Sequence, residues 1–217
     1  ALYRWYPDRL PDEELAYLPF EAFVNEKANI NQAGFDGLKY LIYDYTFSYG
    51  YTSSLLINRS YSNFSNRVFA FSPDYVNSTD STAEGYSTLF GAGREINSIF
   101  RWFKGNIYKG VNATESTFKH LAKQHAIYHL AMHSKADSNN SKYSYFIFDN
   151  QRETIDDGKL FNYEIGTSMI ESPMVVLSAC STGAGKLYHG EGVMSLTRGF
   201  ILAGASSVIS TFWDVND

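Results

Sequence analysis

The chain is poor in cysteine and proline, with one Cys and five Pro among its 217 residues. One cysteine cannot form an internal disulfide, so a disulfide-built secreted scaffold is excluded. The low proline content, together with 16 glycines, argues against a disordered chain dominated by linkers. A chain of this length buries about 70% of the surface that its unfolded form exposes, so it needs no disulfide or metal for stability. Cys180 is therefore either a buried small side chain or a working thiol.

Positive charge and long apolar runs are also scarce. The chain has 18 Lys and Arg against 23 Asp and Glu, which gives a net charge of −5 and a sequence pI near 5.5. A mildly acidic chain without a basic cluster is a poor candidate for binding nucleic acid or an anionic membrane. No stretch approaches the ~18 apolar residues of a membrane span, and residues 1–9 contain no apolar signal-peptide core. We expect a cytoplasmic protein with no nucleic-acid or membrane partner.

Aromatic residues are abundant, at 17% of the chain, which predicts a core rich in large rings. Compact apolar runs alternate with segments of helical periodicity. These patterns predict strands over 38–44, 67–72, 126–132, 143–148, 173–178 and 206–212, and helical segments over 18–29, 53–59, 87–104, 112–121, 163–170 and 191–203. The alternation indicates an α/β domain with a mainly parallel central sheet.

Cys180 follows the clearest buried strand, 173–178, and precedes a turn of small residues, 181–185. Ligands of open α/β sheets bind at the carboxyl ends of the strands. Small residues at this end let a substrate approach the backbone, and main-chain N–H groups of the turn could form an oxyanion hole. The alternative is a buried, unreactive thiol, which is the usual state of a lone cysteine.

The segment Gly183-Ala-Gly-Lys186 offers a second interpretation, because it follows a strand as a phosphate-binding loop does. The complete G-x-x-x-x-G-K-[ST] pattern needs Gly at position 180 and Ser or Thr at position 187. The chain has Cys180 and Leu187 there, so the hydroxyl that would bind Mg²⁺ is missing. A nucleotide-binding domain stays open only as a weak alternative.

His125, His129 and His133 are spaced by four, as zinc ligands on one helix face are. The run lacks the Glu of the H-E-x-x-H motif, and its apolar composition favours a strand over a helix. We therefore expect no metal site, and we expect His129 to be a packed or hydrogen-bonded neighbour.

His133 ends one predicted strand, and Cys180 follows a later one. If these strands are neighbours in a parallel sheet, both side chains reach the same crevice. Cysteine is the nucleophile that needs least activation near neutral pH. A nearby histidine can deprotonate the thiol or protonate a leaving amine.

Several motifs carry a resemblance to a known family. In chain order they are His129-Leu-Ala-Met-His-Ser134, Val176-Leu-Ser-Ala-Cys-Ser-Thr-Gly183, Gly190-Glu-Gly192, Ser195-Leu-Thr-Arg-Gly-Phe200, Ala203-Gly-Ala-Ser-Ser-Val208 and Thr211-Phe-Trp-Asp-Val-Asn-Asp217. Looser matches are Leu18-Pro-Phe-Glu21, Phe71-Ser-Pro-Asp-Tyr75 and Leu89-Phe-Gly-Ala-Gly-Arg-Glu95. Together they resemble the CHAT domain, a caspase-like cysteine peptidase domain associated with tetratricopeptide repeats, in the clan of caspases and separase.

The resemblance implies a caspase-like three-layer α/β/α sandwich with a mainly parallel central sheet. It places the catalytic dyad on Cys180 and His133, and the oxyanion hole on the backbone N–H groups of Cys180 and Ser134. It implies a cysteine endopeptidase, without metal or cofactor, that cleaves a protein or peptide substrate in a signalling or cell-death pathway. The alternative is a catalytically silent caspase-like interaction or scaffold module.

The segment Trp213-Asp-Val-Asn-Asp217 is similar to one in separase, which cuts after Arg, so the resemblance implies a basic P1 residue. The candidate substrate-binding residues are Asp44, Glu191 and Asp214. Two of them have simpler alternatives, Asp44 as a solvated strand-end carboxylate and Glu191 as a charge at a helix N-terminus.

The resemblance also suggests how the chain is organised. We expect residues 1–17 to be a lead-in from an upstream tetratricopeptide-repeat or other regulatory region. We assign residues 18–217 to the peptidase domain, truncated at its C-terminus.

Overall fold

The computed structural model describes residues 18–26, 35, 37–49, 65–75, 86–137, 139–151, 155–179, 185–188 and 192–211. The strands of this part are β1 (Arg67–Ser72), β2 (Lys104–Lys109), β3 (Ile127–Ala131), β4 (Ser134–Lys135), β5 (Tyr145–Ile147), β6 (Lys159–Phe161), β7 (Val175–Ser178), β8 (Gly185–Tyr188), β9 (Gly192–Ser195) and β10 (Val208–Ile209). Its α-helices are α1 (Phe90–Ile99), α2 (Glu115–Leu121), α3 (Asn162–Thr167) and α4 (Leu196–Leu202). Short 3₁₀ helices cover Phe20–Ala22, Leu41–Tyr43, Gly110–Asn112 and Ser141–Tyr143.

The central sheet has five strands in the order β10-β7-β3-β1-β2, and every neighbouring pair is parallel. Two small antiparallel sheets, β4-β5-β6 and β8-β9, accompany it. The expected α/β class with a mainly parallel sheet is confirmed.

The central strands β1 and β3 are buried on both faces, as a parallel sheet covered by helices requires. All five residues of β3 and four of the six residues of β1 are buried. Helix α1 covers one face, where its buried side chains Ala92 and Ile96 pack in one cluster with Val68, Ala70, Ile127 and Ala131. The sequence dictates this arrangement, because both strands are nearly continuous apolar runs.

Helices α2, α3 and α4 cover the opposite face with an aromatic core. Phe118 of α2 lies at its centre, with ring centroids 5.7 Å from Phe71, 5.8 Å from Tyr128, 5.7 Å from Phe148 and 6.3 Å from Phe200. Helices on both faces of the sheet make the three-layer α/β/α sandwich that the resemblance implies, and the aromatic core is as expected.

Five of the six strand predictions and two of the six helix predictions are confirmed, with bounds that differ by a few residues except for β1, which has the predicted bounds. These are the strands over 67–72, 126–132, 143–148, 173–178 and 206–212, and the helices over 112–121 and 163–170. Helix α2 is capped by Thr114, whose hydroxyl accepts from the Thr117 N–H at 3.2 Å. Within the predicted helical segment 18–29, the only helix in the described residues 18–26 is the 3₁₀ helix Phe20–Ala22. The helix predicted over 53–59 lies outside the described residues.

The strand predicted over 38–44 is wrong. The segment contains the 3₁₀ helix Leu41–Tyr43, and only Tyr40 makes an isolated bridge, to Val24. Ile42 and Tyr43 are 57% and 75% exposed. An apolar and aromatic composition does not by itself indicate burial, because large apolar side chains also occur on protein surfaces.

The helix predicted over 87–104 is too long, and strand β2 was missed. Helix α1 ends at Ile99, and β2 begins at Lys104 beside β1. Gly105 does not stop a helix but lies inside β2 with a φ of +147°. A Cβ at this position would lie 1.8 Å from the Val68 carbonyl oxygen, so only glycine allows this close approach of the two strands.

The helix predicted over 191–203 is likewise too long. Residues 192–195 form β9, which pairs with β8 in an antiparallel hairpin. Helix α4 begins only at Leu196, after the capping residue Ser195, whose side chain accepts from the Arg198 N–H at 3.4 Å. A serine N-cap inside an apolar periodic run marks a helix start that periodicity alone does not reveal.

Candidate active site

The carboxyl ends of β3 and β7 lie side by side. The two strands pair in parallel with Ala131 opposite Ser178, and the Met132 N–H donates to the Ser178 carbonyl at 3.3 Å. His133 is two residues beyond Ala131, and Cys180 is two residues beyond Ser178 in the sequence. The adjacency on which the dyad prediction depended is therefore present.

The imidazole of His133 is half-buried and held on three sides. Its Nε2 lies 2.8 Å from the Ser87 carbonyl oxygen, and its ring centroid lies 5.0 Å from those of both Tyr75 and Tyr86. A carbonyl can only accept a hydrogen bond, so Nε2 carries a proton in this contact. In the neutral ring, Nδ1 is then the nitrogen that can take up a proton.

Ser134 lies in β4, directly after His133. It is opposite Phe146 in the antiparallel pair of β4 with β5. The Ile147 N–H donates to the His133 carbonyl at 3.0 Å, immediately before this pair. Strand pairing therefore positions the backbone of Ser134 at the end of β3, and its service as an oxyanion donor stays a prediction.

Glu95 of α1 connects the two strands that lead to the candidate dyad. Its Oε2 accepts from the Ser178 hydroxyl at 2.8 Å, and its Oε1 lies 3.2 Å from Nε2 of the buried His129. The second contact is at ion-pair distance but lacks hydrogen-bond alignment. The interaction with His129, followed by the Ser178 hydroxyl, lowers the pKa of Glu95 against the opposing effect of burial. This network links α1 to the middle of β3, at His129, and to the end of β7, at Ser178.

Sequence reasoning missed Ser87, Tyr75, Tyr86 and Glu95 as neighbours of the candidate site. Tyr75 and Glu95 do end two of the looser family motifs, which was the only signal available for them. Ser87 contributes a backbone carbonyl, so its side chain gives no indication of the contact.

Asp44 does not end a strand of the sheet, as the sequence had suggested. It follows the 3₁₀ helix Leu41–Tyr43, and its carboxylate accepts a hydrogen bond from Nδ2 of Asn25 at 2.6 Å. The strand-end argument for Asp44 therefore fails, because no strand precedes it. Its role in substrate binding stays a prediction without that support.

Cys180, Glu191 and Asp214 lie outside the described residues, as do Gly183 and Ala184 of the phosphate-loop interpretation. The structure gives no account of these positions, so the nucleophile, the first oxyanion donor and two acidic specificity residues stay predictions.

The helical arrangement of His125, His129 and His133 that a zinc site would need is not formed, because this run contains strand β3. Over the described ranges, no group of three or more His, Cys, Asp and Glu side chains is placed to hold a metal ion. In the same part of the chain, no helix has both the length and the apolarity needed to cross a membrane.

The chain matches the family model of the CHAT domain over residues 10–217. No curated protein matches it. CHAT domains are a caspase-like, peptidase-related family, and the all-parallel five-stranded sheet covered by helices on both faces agrees with that fold. The chain belongs to the CHAT domain family.

Proposed function

We propose that this domain is a cysteine endopeptidase in which Cys180 is the nucleophile and His133 the general acid and base. The pairing of β3 with β7 supports the proposal, because it sets Ala131 opposite Ser178 at the carboxyl ends of the two strands. His133 and Cys180 each follow two residues later in the sequence. Parallel α/β sheets bind their ligands at this edge.

The chemistry follows from these two side chains. His133 takes the proton of the Cys180 thiol, and the resulting thiolate attacks the scissile carbonyl carbon. The backbone N–H groups of Cys180 and Ser134 stabilise the oxyanion that forms. His133 donates a proton to the leaving amine as the C–N bond breaks, which leaves an acyl-enzyme. His133 then takes a proton from water, the hydroxide attacks the acyl carbon, and the C–S bond breaks to release the acid. The proton held by His133 returns to the sulfur and restores the thiol.

The surroundings of His133 suit this role. The Ser87 carbonyl holds the proton on Nε2, and the Tyr75 and Tyr86 rings restrict rotation of the imidazole. Nδ1 is thereby the nitrogen through which protons pass. A general base must present its unprotonated nitrogen within hydrogen-bond distance of the proton that it takes up, so a fixed tautomer and a fixed ring orientation favour this role.

The proposed substrate is a protein partner in a cytoplasmic signalling or cell-death pathway, cut after a basic residue. Acidic side chains at Glu191, Asp214 or Asp44 would attract such a residue, and the negative net charge of the chain agrees. An upstream tetratricopeptide-repeat or other regulatory region would present or restrain the substrate.

The test is cleavage of a peptide library that varies the P1 residue, by the chain together with its upstream region. Cys180→Ala should reduce the rate at least ~10³-fold, because no other thiol can replace it. His133→Ala should reduce it ~10²–10⁴-fold. His120→Ala, a change at an exposed histidine of α2, is the matched control and should cleave as the wild type does.

Equal cleavage by the wild type and Cys180→Ala would overturn the proposal. Partner binding that persists in Cys180→Ala, with no labelling by thiol-reactive peptide probes, would instead support the catalytically silent module.

A further inference from the structure

The hydroxyl of Tyr75 lies within the antiparallel hydrogen-bond ladder of β4 with β5, at His133, the residue that precedes β4. The His133 N–H donates to Tyr75 Oη at 3.1 Å, and this hydroxyl donates to the Ile147 carbonyl at 2.8 Å. On the same residue pair, the Ile147 N–H donates directly to the His133 carbonyl. A hydrogen-bonded antiparallel pair exchanges two direct bonds. Here one bond is direct, and the other passes through the Tyr75 hydroxyl.

Only a protonated hydroxyl can complete this bridge, because it must accept from one group and donate to another. Tyr75 is 6% exposed, and burial raises the pKa of its hydroxyl well above the usual range. The hydroxyl therefore stays protonated throughout the physiological range. Phenylalanine would fill the same space but make neither bond.

The same residue also contacts the imidazole. The Tyr75 ring centroid lies 5.0 Å from that of His133, tilted by 49°. Tyr75 thus fixes both the backbone of His133, through its hydroxyl, and the side chain, through its ring. It reaches this position from the loop after β1, where Pro73 ends the strand.

We propose that Tyr75 is a positioning residue for His133, which holds the imidazole toward the carboxyl end of β7. The inference rests on the proposed function, because the partner that the imidazole must face is the Cys180 thiol. It adds a residue that acts on the dyad through His133 and touches neither the substrate nor the sulfur.

The chain has one cysteine, so alkylation by iodoacetamide reports on Cys180 alone. The experiment measures the alkylation rate against pH for the wild type, His133→Ala, Tyr75→Phe and Tyr128→Phe. Tyr128→Phe is the matched control, because it also removes a buried hydroxyl that binds backbone carbonyls, those of Leu121 and Gln124. Its ring packs against Phe69 and Phe118 in the aromatic core.

We expect the wild-type profile to have its midpoint below the ~8.5 of a free thiol, as an imidazole neighbour produces. His133→Ala should move it up toward that value. Tyr75→Phe should move it in the same direction by about 0.5–1 pH unit, a ~3–10-fold loss of rate at pH 7. Tyr128→Phe should leave the wild-type midpoint unchanged.

If the midpoint shifts in His133→Ala but Tyr75→Phe has the same profile as the wild type, the positioning role of Tyr75 is overturned. The proposed dyad is then unaffected. Identical profiles for the wild type and His133→Ala would overturn the proposed dyad, and the positioning role with it. A shift of equal size in Tyr128→Phe would show a general effect of stability and would also overturn the inference.

Amide hydrogen exchange gives a readout that does not depend on the thiol. The His133 amide should exchange slowly in the wild type and at least about tenfold faster in Tyr75→Phe, while Tyr128→Phe leaves it unchanged. If Tyr75→Phe does not fold, the exchange rate of the His133 amide in the wild type is the test. An amide that exchanges as fast as an exposed one would contradict the hydrogen bond to Tyr75.

Discussion

Glu115 shows how one buried carboxylate affects the stability of the domain. It lies in the first turn of α2, its side chain is 1% exposed, and its Oε1 is 2.6 Å from Nζ of Lys119. Lys119 also pairs with Asp156 at 2.7 Å and with Glu164 at 2.9 Å. Three carboxylates therefore share the single positive charge of Lys119. Burial raises the pKa of Glu115 to about 7, against the opposing effect of Lys119.

We predict that Glu115→Gln removes a pH dependence of folding. The folded chain holds the Glu115 proton up to about pH 7, whereas the unfolded chain releases it near 4.5. The free energy of unfolding therefore falls as the pH rises from 4.5 to 7 and stays low above that range. The neutral variant should match the wild type near pH 4.5 and be about 1–3 kcal/mol more stable at pH 8.

Urea unfolding of both proteins at a series of pH values measures this difference. The matched control is Glu26→Gln, since Glu26 forms an exposed, solvent-screened pair with Lys39. This variant should follow the stability curve of the wild type. Parallel stability curves for the wild type and Glu115→Gln would contradict the prediction.

At the scale of elements, Gly105 fixes the pairing of β1 with β2. Gly105→Ala should lower the free energy of unfolding by more than about 2 kcal/mol, because its Cβ would overlap the Val68 carbonyl and its φ is unfavourable for alanine. Gly93→Ala in α1 is the matched control. Among the described residues, no atom outside the chain neighbours and the backbone of its own helix lies within 4 Å of the added Cβ, so the helix should gain about 0.5–1 kcal/mol.

Thermal or urea unfolding of the two variants measures both effects. Equal stability of Gly105→Ala and the wild type would mean that β2 does not pack against β1 in the register described.

The sequence predicts those elements whose apolar composition indicates that they are buried. Strands β1, β3 and β7 are compact apolar runs, because a parallel sheet buries both faces of its inner strands. Strand β2 is polar and mostly exposed, and its pairing with β1 leaves no local pattern. For the segment 38–44 the apolar composition predicts a strand that does not form, since these residues do not lie in the sheet. Strand pairing is a long-range property, which propensity does not encode.

The same limit applies to the candidate site. The position of His133 after β3 could be predicted, because strand ends and residue chemistry are local features. The contacts of His133 with Ser87 and Tyr75 join residues more distant in the chain through a carbonyl and a hydroxyl. No spacing in the sequence marks such contacts. They depend on how loops cross the sheet edge.

At the scale of the whole molecule, the aromatic core ties the helices to the sheet. Phe118 contacts rings from β1, β3, α4 and the segment after β5. Phe118→Ala should lower the free energy of unfolding by about 3–5 kcal/mol. Phe90→Ala, a change at a side chain that is 80% exposed, should alter it by less than about 0.5 kcal/mol.

Urea unfolding followed by circular dichroism and by intrinsic fluorescence compares these variants. Coincident transitions with a large loss only in Phe118→Ala are expected, whereas equal losses in both variants would contradict a central role for Phe118.

The parallel central sheet also has a consequence for how the chain acquires its shape. Its neighbouring strands are joined only through long segments, such as 73–103, 132–174 and 179–207. Closing such loops costs entropy before the strand contacts form, so parallel pairing is intrinsically slow. The pairing of β3 with β7 must wait for the whole of the intervening segment to be synthesised. A chain still emerging from the ribosome therefore contains His133 before Cys180, its proposed partner, has been synthesised. The proposed proteolytic activity would then arise only after β7 has paired with β3.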